Sequence, residues 1–136
     1  MSELAQGAFE VTAWDETVIE DFGEGGKLTR AQVEQTYTGD LEGVATIEWL
    51  MAYRDDGSAD FVGHQRVEGR LGGREGVFVL EVVGRFDGRV AEGDLTAVGG
   101  SGVGSIRDLK GAGRFSAELG PTGTYEFDYV FLEARE

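Results

Sequence analysis

The sequence predicts an all-β protein built as one eight-stranded antiparallel barrel over residues 1–136. Three observations predict it. Apolar and polar residues alternate with a period of two along most of the chain, as strands require. Turn-forming dipeptides such as Asp-Gly punctuate the alternating runs. Twenty-three glycines stand against a single proline, interleaved with aromatic and β-branched residues. That mixture fits many strands joined by tight turns better than a disordered chain.

The elements follow in order, with strands expected at roughly 7–16, 28–39, 43–54, 59–70, 76–86, 89–98, 112–118 and 124–133. In the first, Phe9, Val11 and Ala13 oppose Glu10, Thr12 and Trp14. In the second, Ala31, Val33, Gln35 and Tyr37 share a face. Ile47, Trp49, Met51 and Tyr53 do so in the third, and Tyr125, Phe127, Tyr129 and Phe131 in the last. A helix would scatter these aromatics around its circumference, whereas a strand collects them. "RDDGS", "FDGR", "LGGREG", "GDLEG" and "GPTG" supply the turns, and the acidic stretch "ETVIEDFGEGGK" reads as a surface loop.

One segment departs from this pattern. "SIRDLKG" offers Ser105 as an N-cap, Leu109 as an apolar anchor and Gly111 as a stop. It predicts a short helical turn near residues 105–110 that plugs one end of the barrel. The glycines before it lack the Gly-Lys-Ser/Thr ending of a phosphate loop.

Closure into a barrel removes the exposed edges that successive antiparallel strands otherwise leave, with a two-sheet sandwich as the alternative. Eight strands enclose a space that is filled by side chains or holds one small ligand. Glycines inside strands, Gly63, Gly84, Gly93 and Gly113, would relieve crowding where strands coil sharply.

Composition narrows the function. Acidic residues outnumber basic ones 26 to 12, for a net charge of -14, which disfavours nucleic acid and anionic membrane surfaces as partners. The chain has no cysteine, hence no disulfide, thiol nucleophile or thiolate metal site. The N-terminus lacks a secretory pattern and no apolar run suits a membrane span, so a cytoplasmic location is expected. No cofactor and no metal are expected.

His64 is the only histidine. By parity it shares the outer face with Asp60, Val62, Arg66 and Glu68, while Phe61, Gly63, Gln65 and Val67 face inward. A bulge beside Gly63 would be needed to turn it inside, where a neutral imidazole could move a proton. Glu81 lies in a strand with two apolar faces, so its direction is ambiguous; in a dry interior its pKa would rise. The inward parity set holds Gln35, Tyr37, Trp49, Tyr53, Gln65, Tyr125 and Tyr129. Their polar atoms either satisfy one another in a filled core or point at a ligand.

Four stretches, "FEVTAWDE", "LTRAQVEQTYTGDLEGVATIEWLMAYRDDGSADFVGHQRVEGRLGGREGVFVLEVVGRFDG", "SGVGSIRDLKGAGRF" and "GPTGTYEFDYVF", together resemble the bacterial family called domain of unknown function 3224. The resemblance runs in order over nearly the whole chain. It implies an eight-stranded barrel similar to that of the plant allene oxide cyclases. Relatives of that barrel include dirigent proteins and some polyketide cyclases, which guide ring closure or coupling of an apolar substrate, usually without a cofactor. No catalytic residue transfers position by position.

The resulting expectation is a cofactor-independent cyclase or isomerase that folds an apolar substrate. Tyr53, Glu81 and His64 would be its catalytic candidates. Gln35, Tyr37, Trp49, Met51, Gln65, Phe78, Tyr125, Phe127 and Tyr129 would line the ligand. The alternatives are a non-catalytic carrier or sensor with the same cavity, and a solidly packed barrel that self-associates as a homo-oligomer.

Overall fold

The computed structural model describes residues 2–118 and 120–132. Nine strands form: β1 (Glu3–Gly23), β2 (Gly26–Gly39), β3 (Leu41–Tyr53), β4 (Ala59–Leu71), β5 (Arg74–Phe86), β6 (Val90–Ala97), β7 (Val103–Gly104), β8 (Leu109–Glu118) and β9 (Thr122–Phe131). Pairing runs from β1 through β6 in order, then β6 to β8, β8 to β9, and β9 back to β1. That circuit is a closed eight-stranded antiparallel barrel rather than a sandwich. The two-residue β7 adds to the start of β5, at Gly76 and Val77.

Tight turns close the hairpins where the sequence supplies positive-φ residues. Gly72 and Gly73 link β4 to β5, with φ of 60° and 78°. Such angles suit the two-residue turn that matches strand twist. The register of β3, β4 and β5 is unbroken, so inward and outward faces alternate cleanly along them.

Two expectations need correction. The stretch read as an acidic loop is mostly the far half of a long β1–β2 hairpin, turned by Glu24 and Gly25 at φ of 55° and 93°. Val18, Ile19 and Phe22 are exposed on this arm. Burial therefore imposes no alternation there, which removes the signal by which a strand is read. The short helical turn is not a helix. Residues 105–108 form tight turns in which Arg107 donates to the Gly104 carbonyl and Leu109 to that of Ile106, before β8 begins. One isolated turn has no propagation to offset its nucleation. The plugging role survives, with fully buried Ile106 sealing that end beside Leu109. The last expected strand reached residue 133, which lies outside the described residues.

The barrel is filled unevenly. At the Ile106 end Val67, Leu71, Phe78, Leu80 and Phe127 pack the interior. At the other end, inward-facing glycines carry rings instead. A Cβ on Gly84 would sit 2.6 Å from the Phe61 ring, and one on Gly93 2.8 Å from that of Phe115. No helix among the described residues is long and apolar enough to cross a membrane.

Candidate functional site

The less filled end holds a cavity of about 260 Å³. Phe9, Val11, Phe61, Phe86 and Phe115 supply apolar walls, and Trp14, Gln35, Trp49, Tyr53 and Gln65 the polar atoms. Beyond Val11, whose amide donates to the Pro121 carbonyl at 2.6 Å, β1 has no described partner on the β9 side. Glu118 and Gly120 line the cavity at this break. A larger concavity of about 1200 Å³ runs past outward-facing Leu50, Val62, Val83, Asp94 and Arg114. Its lining also takes in the inward Tyr125, Phe61 and Phe115, the last two shared with the smaller cavity.

Alternation along β3 and β4 places Trp49 and Gln65 inside. Trp49 lies opposite Gly63, whose missing side chain leaves room for the indole. The ring is flanked by Phe61 at 5.2 Å and Trp14 at 5.7 Å between centroids. Trp49 is only 8% exposed, and its Nε1, shut off from solvent, has no hydrogen-bond partner among the described residues. A buried indole N–H ordinarily finds a partner, and this one has none among the described residues.

Gln35 and Gln65 meet at Tyr37. Gln35 Nε2 donates to the Tyr37 hydroxyl at 3.0 Å, and that hydroxyl donates to Gln65 Oε1. Burial drives the Tyr37 pKa well above its ordinary value, although the two amides act to lower it.

A second cluster forms at the rim. The Glu16 carboxylate accepts from the Tyr53 hydroxyl at 2.6 Å, Thr29 Oγ1 at 2.7 Å and Trp14 Nε1 at 3.1 Å. Burial alone would raise the Glu16 pKa, but these three donors and the Lys27 charge outweigh it and hold it below the usual value. Tyr53 moves the other way. Its burial, then the hydrogen bond to Glu16, push it above the ordinary phenol range. Lys27 also sits 4.9 Å from the centre of the Tyr53 ring.

This arrangement makes a pH prediction. A carboxylate whose folded pKa is lowered stabilises the fold above its unfolded pKa of about 4.3, and that stability is lost as pH falls through the folded value. Glu16→Gln should therefore be less stable than wild type at pH 7, with the gap narrowing at pH 3.5. Urea midpoints at the two pH values measure it; a constant gap contradicts the cluster.

The expected site residues divide. Gln35, Trp49, Met51, Gln65 and Tyr53 line the cavity, with Tyr37 buried behind the glutamines. Phe78, Tyr125, Phe127 and Tyr129 face inward but do not line it. Tyr125 instead ties the β2–β3 turn, its hydroxyl accepting from Leu41 N–H at 2.8 Å and donating to the Thr38 carbonyl at 2.9 Å. His64 and Glu81 stand opposite each other on the outer wall, with Glu48 on the other side of His64, and neither borders the cavity. No bulge turns β4 at Gly63. Among the described residues no three histidine or acidic side chains gather to hold a metal.

Glu16 and Trp14 are the residues that sequence reading missed. A register shift between Val11 and Ala13 reverses the parity of β1, so Trp14 and Glu16 come round to the side of Phe9 and Val11. Thr12 carries no residue-type signal for such a bulge.

These features define a small antiparallel β-barrel, packed and plugged at one end and hollow at the other. The chain belongs to the DUF3224 family, described as a protein of unknown function, whose model matches residues 5–129. A crystal structure of a protein with unknown function from that family, from Shewanella oneidensis MR-1, is similar at 32% identity with a TM-score of 0.77. The alignment covers 98% of this chain and 100% of that one. No curated protein matches the chain.

Proposed function

We propose that this protein binds a small, neutral, mostly apolar molecule bearing a hydrogen-bond acceptor, in the cavity at the hollow end of the barrel. The observation that carries the reading is Trp49 Nε1, a buried donor with no partner beside an apolar space. Leaving such a group unmet costs about 1–3 kcal/mol, which a guest's acceptor removes. The cavity volume of about 260 Å³ lies just below the roughly 300–1,000 Å³ usual for larger ligands, so the guest is small. Net charge of -14 and the nearness of Glu16 and Glu118 disfavour an anion.

Holding the guest is better supported than transforming it. A cyclase or isomerase of the allene oxide cyclase kind would use the same hollow, with a proton donor or acceptor titrating near working pH. Glu16 is held low and Tyr53 high, so both are poorly poised for that exchange near neutrality. Conversion of a bound guest to product would favour the enzyme over the carrier or sensor.

Calorimetric titration with acetophenone and ethylbenzene tests the binding reading. Both should bind saturably, the ketone more tightly. Trp49→Phe should weaken acetophenone relative to ethylbenzene by about 1 kcal/mol, roughly five-fold. Absence of saturable binding by either compound overturns the proposal.

A further inference from the structure

We infer that the polar group this cavity recognises is a carboxamide, open-chain or lactam. The inference rests on the binding reading above and names the chemistry of its guest. Gln35 and Gln65 are each 2% exposed and both line the cavity. Each spends one end of its amide on the Tyr37 hydroxyl. The other ends, Gln35 Oε1 and Gln65 Nε2, make no hydrogen bond to the described residues.

The relay through Tyr37 constrains what these ends offer. The hydroxyl has one proton, so it donates to one amide and accepts from the other. Turning both amides over reverses the relay, with Gln65 donating to Tyr37 and Tyr37 to Gln35. In either sense one glutamine presents N–H to the cavity and the other a carbonyl oxygen. The cavity wall therefore carries one amide donor and one amide acceptor on separate side chains, with the unmet Trp49 N–H on a ring of the same wall.

A carboxamide answers this set. Its oxygen has two lone pairs for Trp49 Nε1 and the donating glutamine, and its N–H meets the accepting one. A ketone leaves the glutamine carbonyl unanswered. An alcohol carries donor and acceptor on one atom, whereas the two glutamine ends are held apart by the hydroxyl between them. A carboxylate lacks the N–H and brings a charge into an acidic, apolar site.

Titration of the wild-type protein with benzamide, acetophenone, 1-phenylethanol, benzoate and ethylbenzene at pH 7 decides the matter. Benzamide should bind about ten-fold or more tightly than acetophenone or 1-phenylethanol, and benzoate should not bind. Gln35→Met and Gln65→Met should each abolish the preference for benzamide over acetophenone, read as the ratio of the two affinities within the same variant. If either variant fails to fold, the wild-type series still decides. Acetophenone and ethylbenzene binding with benzamide no tighter overturns this inference and leaves the binding reading standing. Failure of every compound overturns both.

Discussion

Gly63→Ala is expected to lower stability by about 3 kcal/mol, with a fall in Tm of roughly 10 °C. A Cβ at this position would press into the Glu48 carbonyl oxygen of β3 and come within 2.7 Å of Trp49 Cδ1. The first obstacle is backbone in the middle of an unbroken β3–β4 register, so no side-chain rotation relieves it. The strands would have to separate locally, and the indole would leave its place beside Phe61. Gly99→Ala is the control. Nothing lies within 4 Å of a Cβ there, and its φ is not in the left-handed region. Its effect should stay within about 0.5 kcal/mol, as for other unconstrained surface positions. Thermal melts of the two variants measure the difference. Equal melting temperatures would mean that Gly63 does not seat the indole.

The second large effect concerns Tyr37. Tyr37→Phe keeps the ring contacts with Phe9 and Tyr125 but removes the hydroxyl between Gln35 and Gln65. Two buried amides then lose their shared partner, at a cost of about 2 kcal/mol. The origin of the loss can be checked by removing the whole polar set. The triple variant Gln35→Leu, Tyr37→Phe, Gln65→Leu leaves no amide unmet, so it should recover much of the stability lost by the single change. Urea unfolding reports both. A triple variant less stable than Tyr37→Phe would show that packing, and not the unmet amides, sets the cost.

How much of this was legible depends on where the register is regular. Gln35, Tyr37, Trp49, Tyr53 and Gln65 were placed inside by period-two alternation, because β2, β3 and β4 pair without interruption along those residues. The same parity placed His64 outside, where it lies. It failed along β1. The shift after Val11 reverses the faces, so strict alternation puts Trp14 away from Phe9, and Glu16 stands where the expected first strand meets the expected loop. A bulge is decided by how strands of unequal path close a barrel, which no single strand's residues reveal. The distinction between lining and packing was also out of reach. Tyr125, Phe127 and Tyr129 share the inward face with cavity residues, yet which end of a barrel is filled depends on the cross-barrel meeting of side chains from distant strands. Leu109 reads from the sequence as the apolar anchor of the plugging turn, but the tight turn buries Ile106 more deeply.

The central claim is that Trp49 presents an unmet donor to a space a guest can enter. The chain has two tryptophans, and both indoles border that space, so the ¹H–¹⁵N correlation of the indole groups reads the claim directly. Trp14 is bonded to Glu16 and serves as the internal reference. Adding acetophenone should move the Trp49 indole proton downfield and leave Trp14 nearly still, while ethylbenzene should produce no downfield shift. A Trp49 signal unmoved by saturating acetophenone would contradict the account.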